Sequence, residues 1–369
     1  MSPLTTEQNQ YTLLPEWAKQ SGVMLTWPHA DSDWAPFLTQ VEPVFLEITE
    51  AIARREKVLI SVDSAAKKEE ILTYFAERDL AHQLAIYILP TNDTWARDHG
   101  PITVLKSSLE TPTNVGTAEA ETNFSGKAHL LNFTFNGWGN KFDAALDTRI
   151  NDNLAQQNAF AAGIETIDLV LEGGSIEADG FGTLLTTSEC LLAPTRNPDL
   201  SKDQIEALLT EKFGLKRILW LDHGYLAGDD TDSHVDTLAR LCDAHTIAYV
   251  QSDDPEDEHY QALQAMEAQL KTFVDYQGKP YKLVPLPMAQ ACYSEEGDRL
   301  PSTYANFLII NNAVLLPTYG DQEKDTQAIN QIKIAFPNHE VIAINCRPIV
   351  EQYGSLHCLT MQLPEGVLA

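Results

Sequence analysis

At 369 residues the chain is long enough for roughly two or three ordinary domains, and 44% hydrophobic with 21% charged residues marks a folding chain, not a disordered tail. Its 25 Lys and Arg stand against 53 Asp and Glu, a formal net charge of -28. With no Lys/Arg-rich run to neutralise phosphates, neither nucleic acid nor an anionic membrane is an expected partner, whereas a cationic small molecule fits.

No apolar run approaches the ~20 residues of a membrane helix. The N-terminal residues show no basic stretch followed by an apolar core, so no secretory signal is read there. Five cysteines (Cys190, Cys242, Cys292, Cys346, Cys358) form an odd, scattered set without a CxxC pair. That usage reads as reduced and cytoplasmic, neither a disulfide framework nor a zinc site.

Apolar periodicity predicts helices and strands in alternation. A helix at 38–56 leads into the strand KVLISV, and a second at 65–79 into LAIYILP; HLLNFTF follows as a strand. Further helices at 143–161, 200–213, 256–277 and 323–336 precede TIDLVLE, KRILWL, KLVPLP and EVIAIN respectively. Alternation of this kind indicates an α/β chain. Segment 106–127 breaks the rhythm, being rich in Thr, Ser, Gly and Glu, and reads as a mobile surface insertion.

A longer period overlies this one. Five times a polar residue or pair opens a hairpin-like segment: at Ala96-Arg97-Asp98, Glu172-Gly173-Gly174, His234-Val235-Asp236, Tyr304-Ala305-Asn306 and Leu356-His357-Cys358. Several turn through polar pairs such as Asp179-Gly180, Asp243-Ala244 and Asn311-Asn312. Spacings of roughly 50–75 residues fit one supersecondary unit each, as in radial repeat folds. The expectation is one closed ring, a single catalytic domain over 1–369, in which each loop delivers a polar residue to a shared centre.

Each of those residues has an ordinary reading beside the functional one. Asp98 can hold the turn that Gly100-Pro101 punctuates, or, beside Trp95, can meet a flat cation. His234 and Asp236, two apart, would face the same side of a strand; they suit acid/base work or half of a metal site. The carboxylates of 228–236 do not form a calcium loop, because counting from Asp230 the sixth position is Val235 and the twelfth Leu241. Glu172 is a ligand or a cap, with paired glycines that permit close backbone approach. Trp138 sits in an aromatic-bearing loop. Cys358 packs, or is a nucleophile presented after a flexible Gly-Ser approach, and His357 reads equally as structural or catalytic. Phosphate-cradling and Ser-hydrolase motifs are missing from the chain.

Taken in order, NDTWARDHGP, LEGGSIEADGFGTLLTTSECLL, DDTDSHVDTLARL, TYANFLIINNAVLLPTYGD and SLHCLTMQ resemble the agmatine deiminase/bacterial peptidylarginine deiminase family, and PEW…TWPH extends the likeness over almost the whole chain. The resemblance implies the five-bladed α/β propeller of the guanidino-group modifying enzymes. It implies Cys358 as nucleophile, His234 as general acid/base, and Asp98 and Asp236 as guanidinium ligands. Trp95, Asp230 and Asn306 fall on family motif positions that line the pocket; Glu172 and Trp138 complete the expected binding set. The chain departs where agmatine deiminases usually carry a glycine triplet before the nucleophile, having Tyr353-Gly354-Ser355 instead.

A guanidinium carbon is a poor electrophile, and two carboxylates can grip its planar fork and hold it in line for a thiolate. The expected reaction is deimination through a Cys-thiouronium intermediate, with no metal and no organic cofactor. Agmatine, cationic at both ends, suits so acidic a protein. Arginine, free or peptidyl, is the alternative and would require a clamp for its carboxylate. A metal-dependent hydrolase using His234 and Asp236 is the rival from another class. The expected partner is a small guanidino cation, and a homodimer is compatible with the sequence.

Overall fold

The computed structural model describes residues 10–107 and 124–369. Segment 106–127, expected to be an insertion, therefore lies mostly outside the described residues.

Five sheets repeat one plan. An inner strand runs antiparallel to a middle strand, and the middle strand runs parallel to an outer strand reached through a helix. In the first sheet Ile102–Ser107 pairs with Lys127–Thr134, which pairs with Gly163–Val170; Gln10–Leu13 adds an edge. The second is Ile176–Ala178, Thr183–Thr187 and Arg217–Leu221, and the third Ala239–Asp243, Thr246–Gln251 and Lys282–Pro287. The fourth is Leu308–Ile310, Ala313–Thr318 and Glu340–Asn345. The fifth joins the two ends of the chain: Thr360–Pro364 pairs antiparallel with Gln20–Thr26, which continues parallel to Lys57–Val62 and Leu84–Ile88. This is the expected five-bladed α/β propeller, and the last pairing completes the fifth blade.

Burial explains the sequence pattern. Middle strands such as Ala313–Thr318 and Thr183–Thr187 are buried on both faces, which is why they read as continuous apolar or Thr-rich runs without alternation. Crossover helices begin where side chains satisfy orphan N–H groups: Ser201 and Gln204 form a capping box on Lys202–Phe213, and Asp321 accepts from Glu323 and Lys324. Gly214, at φ 66°, ends the former helix in the left-handed conformation.

Three expectations need correction. The helix expected at 143–161 is Ile150–Gln156 alone, after a 3-10 turn at Asp147–Arg149, because Asp147 is committed to the backbone N–H groups of Asn92 and Asp93. The one expected at 256–277 is Tyr260–Leu270; beyond it Asp275 accepts from the N–H groups of Gln277 and Lys279 and makes a turn. Val235–Thr237 is a 3-10 turn, not the start of a strand. There the Asp229 carboxylate accepts from the N–H groups of Thr231 and Ser233, with Asp232 and Ser233 at φ 64° and 63°, so the chain reaches His234 already turning. Among the described residues no helix is long and apolar enough to cross a membrane.

Candidate active site

Every inner strand is preceded by a short turn, and the five turns meet. Asp98 lies in the helical turn Ala96–His99 and accepts from the N–H of Gly174, in the turn Gly173–Ser175, at 3.0 Å. His234 Nδ1 lies 3.6 Å from Asp98 Oδ1. Asp236 Oδ2 accepts from Asn306 Nδ2 at 3.3 Å, and Cys358 Sγ lies 3.4 Å from Asn306 Oδ1. The ring of contacts returns to its start where the Arg97 N–H donates to the Cys358 carbonyl at 3.1 Å.

Space at the centre exists because residue 174 has no side chain. A Cβ there would stand 2.6 Å from His234 Nδ1, 2.9 Å from Asp98 Oδ1 and 3.1 Å from Asp236 Oδ2. A second close approach is at Gly354, where a Cβ would stand 2.2 Å from the Trp95 ring. That contact accounts for the one glycine kept in Tyr353-Gly354-Ser355. Tyr353, at φ 62°, adopts the backbone a glycine would adopt freely and turns its side chain to line the cavity.

A cavity of about 360 Å³ opens on this centre. Its lining includes Cys358, Asp98, Asn306, Trp95 and Trp138, together with Asp230. Trp138 Nε1 donates to Asp98 Oδ2 at 2.9 Å, so this indole orients the carboxylate. His234, Asp236 and Glu172 are fully buried and do not line the cavity. Glu172 is held by Arg196, whose Nε donates to it at 3.0 Å while Nη2 donates to the Thr231 carbonyl at 2.8 Å. No motif in the sequence marks Arg196, which ties Glu172 to the loop that carries Asp230. Lys141 donates to the Asp230 carbonyl and, at 2.9 Å, to Asp232.

The protonation pattern follows from burial. Burial raises Asp98 well above the usual carboxylate range, and the charges of Asp236 and Glu172 add to it. Asp236 is equally buried, yet the hydrogen bond and charge of His357 outweigh that and hold it below its ordinary value. Burial depresses His234 to about 3 and lifts the Cys358 thiol well above normal, the latter with help from Asp236 and Asp98. Without a cation in the cavity, thiol and imidazole are therefore neutral. Three atoms of these residues, His234 Nδ1 and Nε2 and Asp236 Oδ1, are buried without a hydrogen-bond partner.

Among the described residues two groups of metal-ligand types lie close together, Glu172–Cys190–His234 and Glu16–Glu177–His357. Each already contains a guanidinium: Arg196 against Glu172, and Arg240 Nη2 at 2.8 Å from Glu16. Those cations occupy the charge a metal would need.

Residues 12–364 match the Porphyromonas-type peptidyl-arginine deiminase family. The chain belongs to that family. The family's fold accounts for the five sheets, and its members are hydrolases of amidine C–N bonds, as is this protein. A solved "Putative Arginine Deiminase" of Porphyromonas gingivalis is 47% identical with a TM-score of 0.86, over 98% of this chain and 100% of that one. A substrate-bound agmatine deiminase of C. jejuni is 37% identical with a TM-score of 0.85, over 99% of each chain. A "Putative agmatine deiminase" of Selenomonas ruminantium is 32% identical, over 98% of this chain and 97% of the relative.

Proposed function

We propose that the protein hydrolyses agmatine to N-carbamoylputrescine and ammonia, a step towards putrescine. The observation that carries this reading is the cavity lining: Asp33, Asp93, Asp98, Asp229 and Asp230 surround it, and no Lys or Arg is among the described lining residues. A ligand cationic at both ends gains attraction along its whole length there. Arginine would bring a carboxylate against those acids with no basic partner. The nearby cation, Lys141, is engaged outside the lining.

Asp98 and Asp236 receive the guanidinium, Asp98 releasing its proton to solvent as the cation enters; each close contact then contributes roughly 4 kcal/mol at an effective dielectric near 20, before desolvation. Because His234 is neutral in the free site, it is the incoming cation that draws the Cys358 proton away. His234 takes that proton as sulfur bonds to the guanidinium carbon. It then passes the proton to the departing nitrogen; the C–N bond breaks, ammonia leaves, and a thiouronium remains on Cys358. Next, His234 removes a proton from water, whose oxygen adds to the same carbon. As the C–S bond breaks, the proton held by His234 returns to sulfur, and the proton left on the added hydroxyl passes to solvent, where ammonia takes it up as ammonium; the neutral ureido product is released. Asp230, on the cavity lining and raised to about 6 by burial and by Asp229, is the carboxylate we assign to the distal amine.

The test is ammonia release from agmatine, arginine and a peptide ending in arginine, assayed side by side. Agmatine is expected to give the highest kcat/KM. A higher value for either arginine substrate would refute the assignment.

A further inference from the structure

Next to the site lies a buried cluster of charges that no step above uses. Glu16, Glu177 and Asp236 face Arg97, Arg240 and His357, and all six side chains are almost wholly buried. Glu16 is the hub. Its Oε2 lies 2.8 Å from Arg240 Nη2, 2.6 Å from His357 Nε2 and 3.6 Å from Arg97 Nη2, while Oε1 accepts from the Ile309 N–H at 2.7 Å. Arg240 also grips Glu177 and donates to the carbonyl of Ala305. On its other side His357 places Nδ1 2.7 Å from Asp236 Oδ2.

Both neighbours of that ring already act as acceptors, Glu16 from Arg240 and the Ile309 N–H and Asp236 from Asn306, so each is placed to accept from the ring. A neutral imidazole carries a single N–H and would leave one of these short contacts without a proton.

We propose that His357 is the positioning residue for Asp236. As a doubly donating imidazolium anchored on Glu16, it ties down one Asp236 oxygen and leaves the other for the substrate. Asp236 Oδ1 is indeed buried without a protein partner. Without the ring, Asp236 would keep only the longer bond from Asn306 and would be free to rotate beside Asp98 and His234. His357 also decides which of the two guanidinium carboxylates is ionised before substrate arrives: Asp236, leaving the proton on Asp98.

The proposal rests on Asp236 being a guanidinium ligand, as in the reading above, but not on agmatine being the substrate. The test separates positioning from charge balance. E16Q/H357N and E16Q/H357Q remove the same two ionisable groups, so the net charge of the cluster is the same in both. The asparagine amide reaches where Nδ1 now donates to Asp236; the glutamine amide reaches towards Nε2 instead. With whichever guanidino substrate the wild type turns over best, E16Q/H357N is expected to keep at least about tenfold more kcat/KM than E16Q/H357Q, the worth of one hydrogen bond to a charged group. A smaller ratio, or the reverse order, overturns the positioning role. Should either variant not fold, ¹⁵N-histidine NMR of the intact wild-type protein decides. N–H-type shifts at both nitrogens of His357 are expected, and one bare nitrogen overturns the proposal. Failure of the agmatine assay alone would leave both readouts in force.

Discussion

Gly174→Ala probes the centre of the site with a single methyl group. Gly174 has no left-handed φ, so its requirement is space alone. The new Cβ would stand 2.6 Å from His234 Nδ1, 2.9 Å from Asp98 Oδ1 and 3.1 Å from Asp236 Oδ2, against ordinary contacts of ~3.5–4.0 Å. Three groups must therefore move by several tenths of an ångström to about one ångström. Overpacking of that kind costs ~1–3 kcal/mol, a fall of a few degrees in Tm. The effect on turnover is larger, because a shift of ~1 Å in a catalytic group costs about 100-fold. Steady-state kinetics with a thermal melt on the same sample make the test. Expected are a folded protein, a Tm lower by a few degrees and kcat/KM down by at least about 100-fold. A variant with kcat/KM within tenfold of wild type would refute the claim that these three side chains converge on one working position.

Three further outcomes follow from the same geometry. Asp230 is neutralised as pH falls through about 6, so agmatine kcat/KM should fall there. The pH effect should be absent in Asp230→Asn and for an alkylguanidine lacking the distal amine; a wild-type-like profile in that variant would remove Asp230 from amine recognition. Burial among carboxylates keeps the Cys358 proton on sulfur, so the rate of alkylation of the free protein at Cys358 should inflect above the usual thiol value of ~8.5; an inflection below it would contradict the electrostatics. Glu56 is raised to about 7 by burial. Its folded state therefore holds a proton that the unfolded state releases near 4.5, and stability is lost as pH rises through that window, by up to ~3 kcal/mol. Glu56→Gln keeps an acceptor for the Asn311 N–H and should raise Tm relative to wild type more at pH 8 than at pH 5; an equal difference at both would show the carboxyl to be unstrained.

The propeller was legible because each blade repeats a local signal. A polar turn, a hairpin pair such as Asn311-Asn312 and an apolar run recur with a helix between them, and every one of the five turns picked out in the sequence precedes an inner strand. Helix ends were less legible at 143–161 and 256–277, where Asp147 and Asp275 bind backbone N–H groups and stop the periodic pattern. At His234 and Asp236 the convergence was right but the strand behind it was not, since Asp229 turns the chain one step earlier. Glu172, His234 and Asp236 are all expected at the site from the sequence, and the structure sets all three behind the cavity lining, Glu172 against Arg196.

The buried charge cluster was not readable at all. Glu16 meets Arg240 across 224 positions and His357 across 341, and no local pattern distinguishes a Glu destined for that hub from the many solvated ones in so acidic a chain. In the sequence Pro15-Glu16-Trp17 stands out only through the family resemblance. Its physical role emerges when the N- and C-terminal strands pair and bring residue 16 beside residue 357.

The most direct measurement is intact-protein mass spectrometry of the wild type mixed with agmatine and quenched in acid within the first turnovers. A species heavier by agmatine less one ammonia, mapped by peptide digestion to Cys358 and missing from Cys358→Ala, is the expected result. Full turnover by Cys358→Ala, or an adduct mapped to any other residue, would contradict attack by this sulfur on the guanidinium carbon.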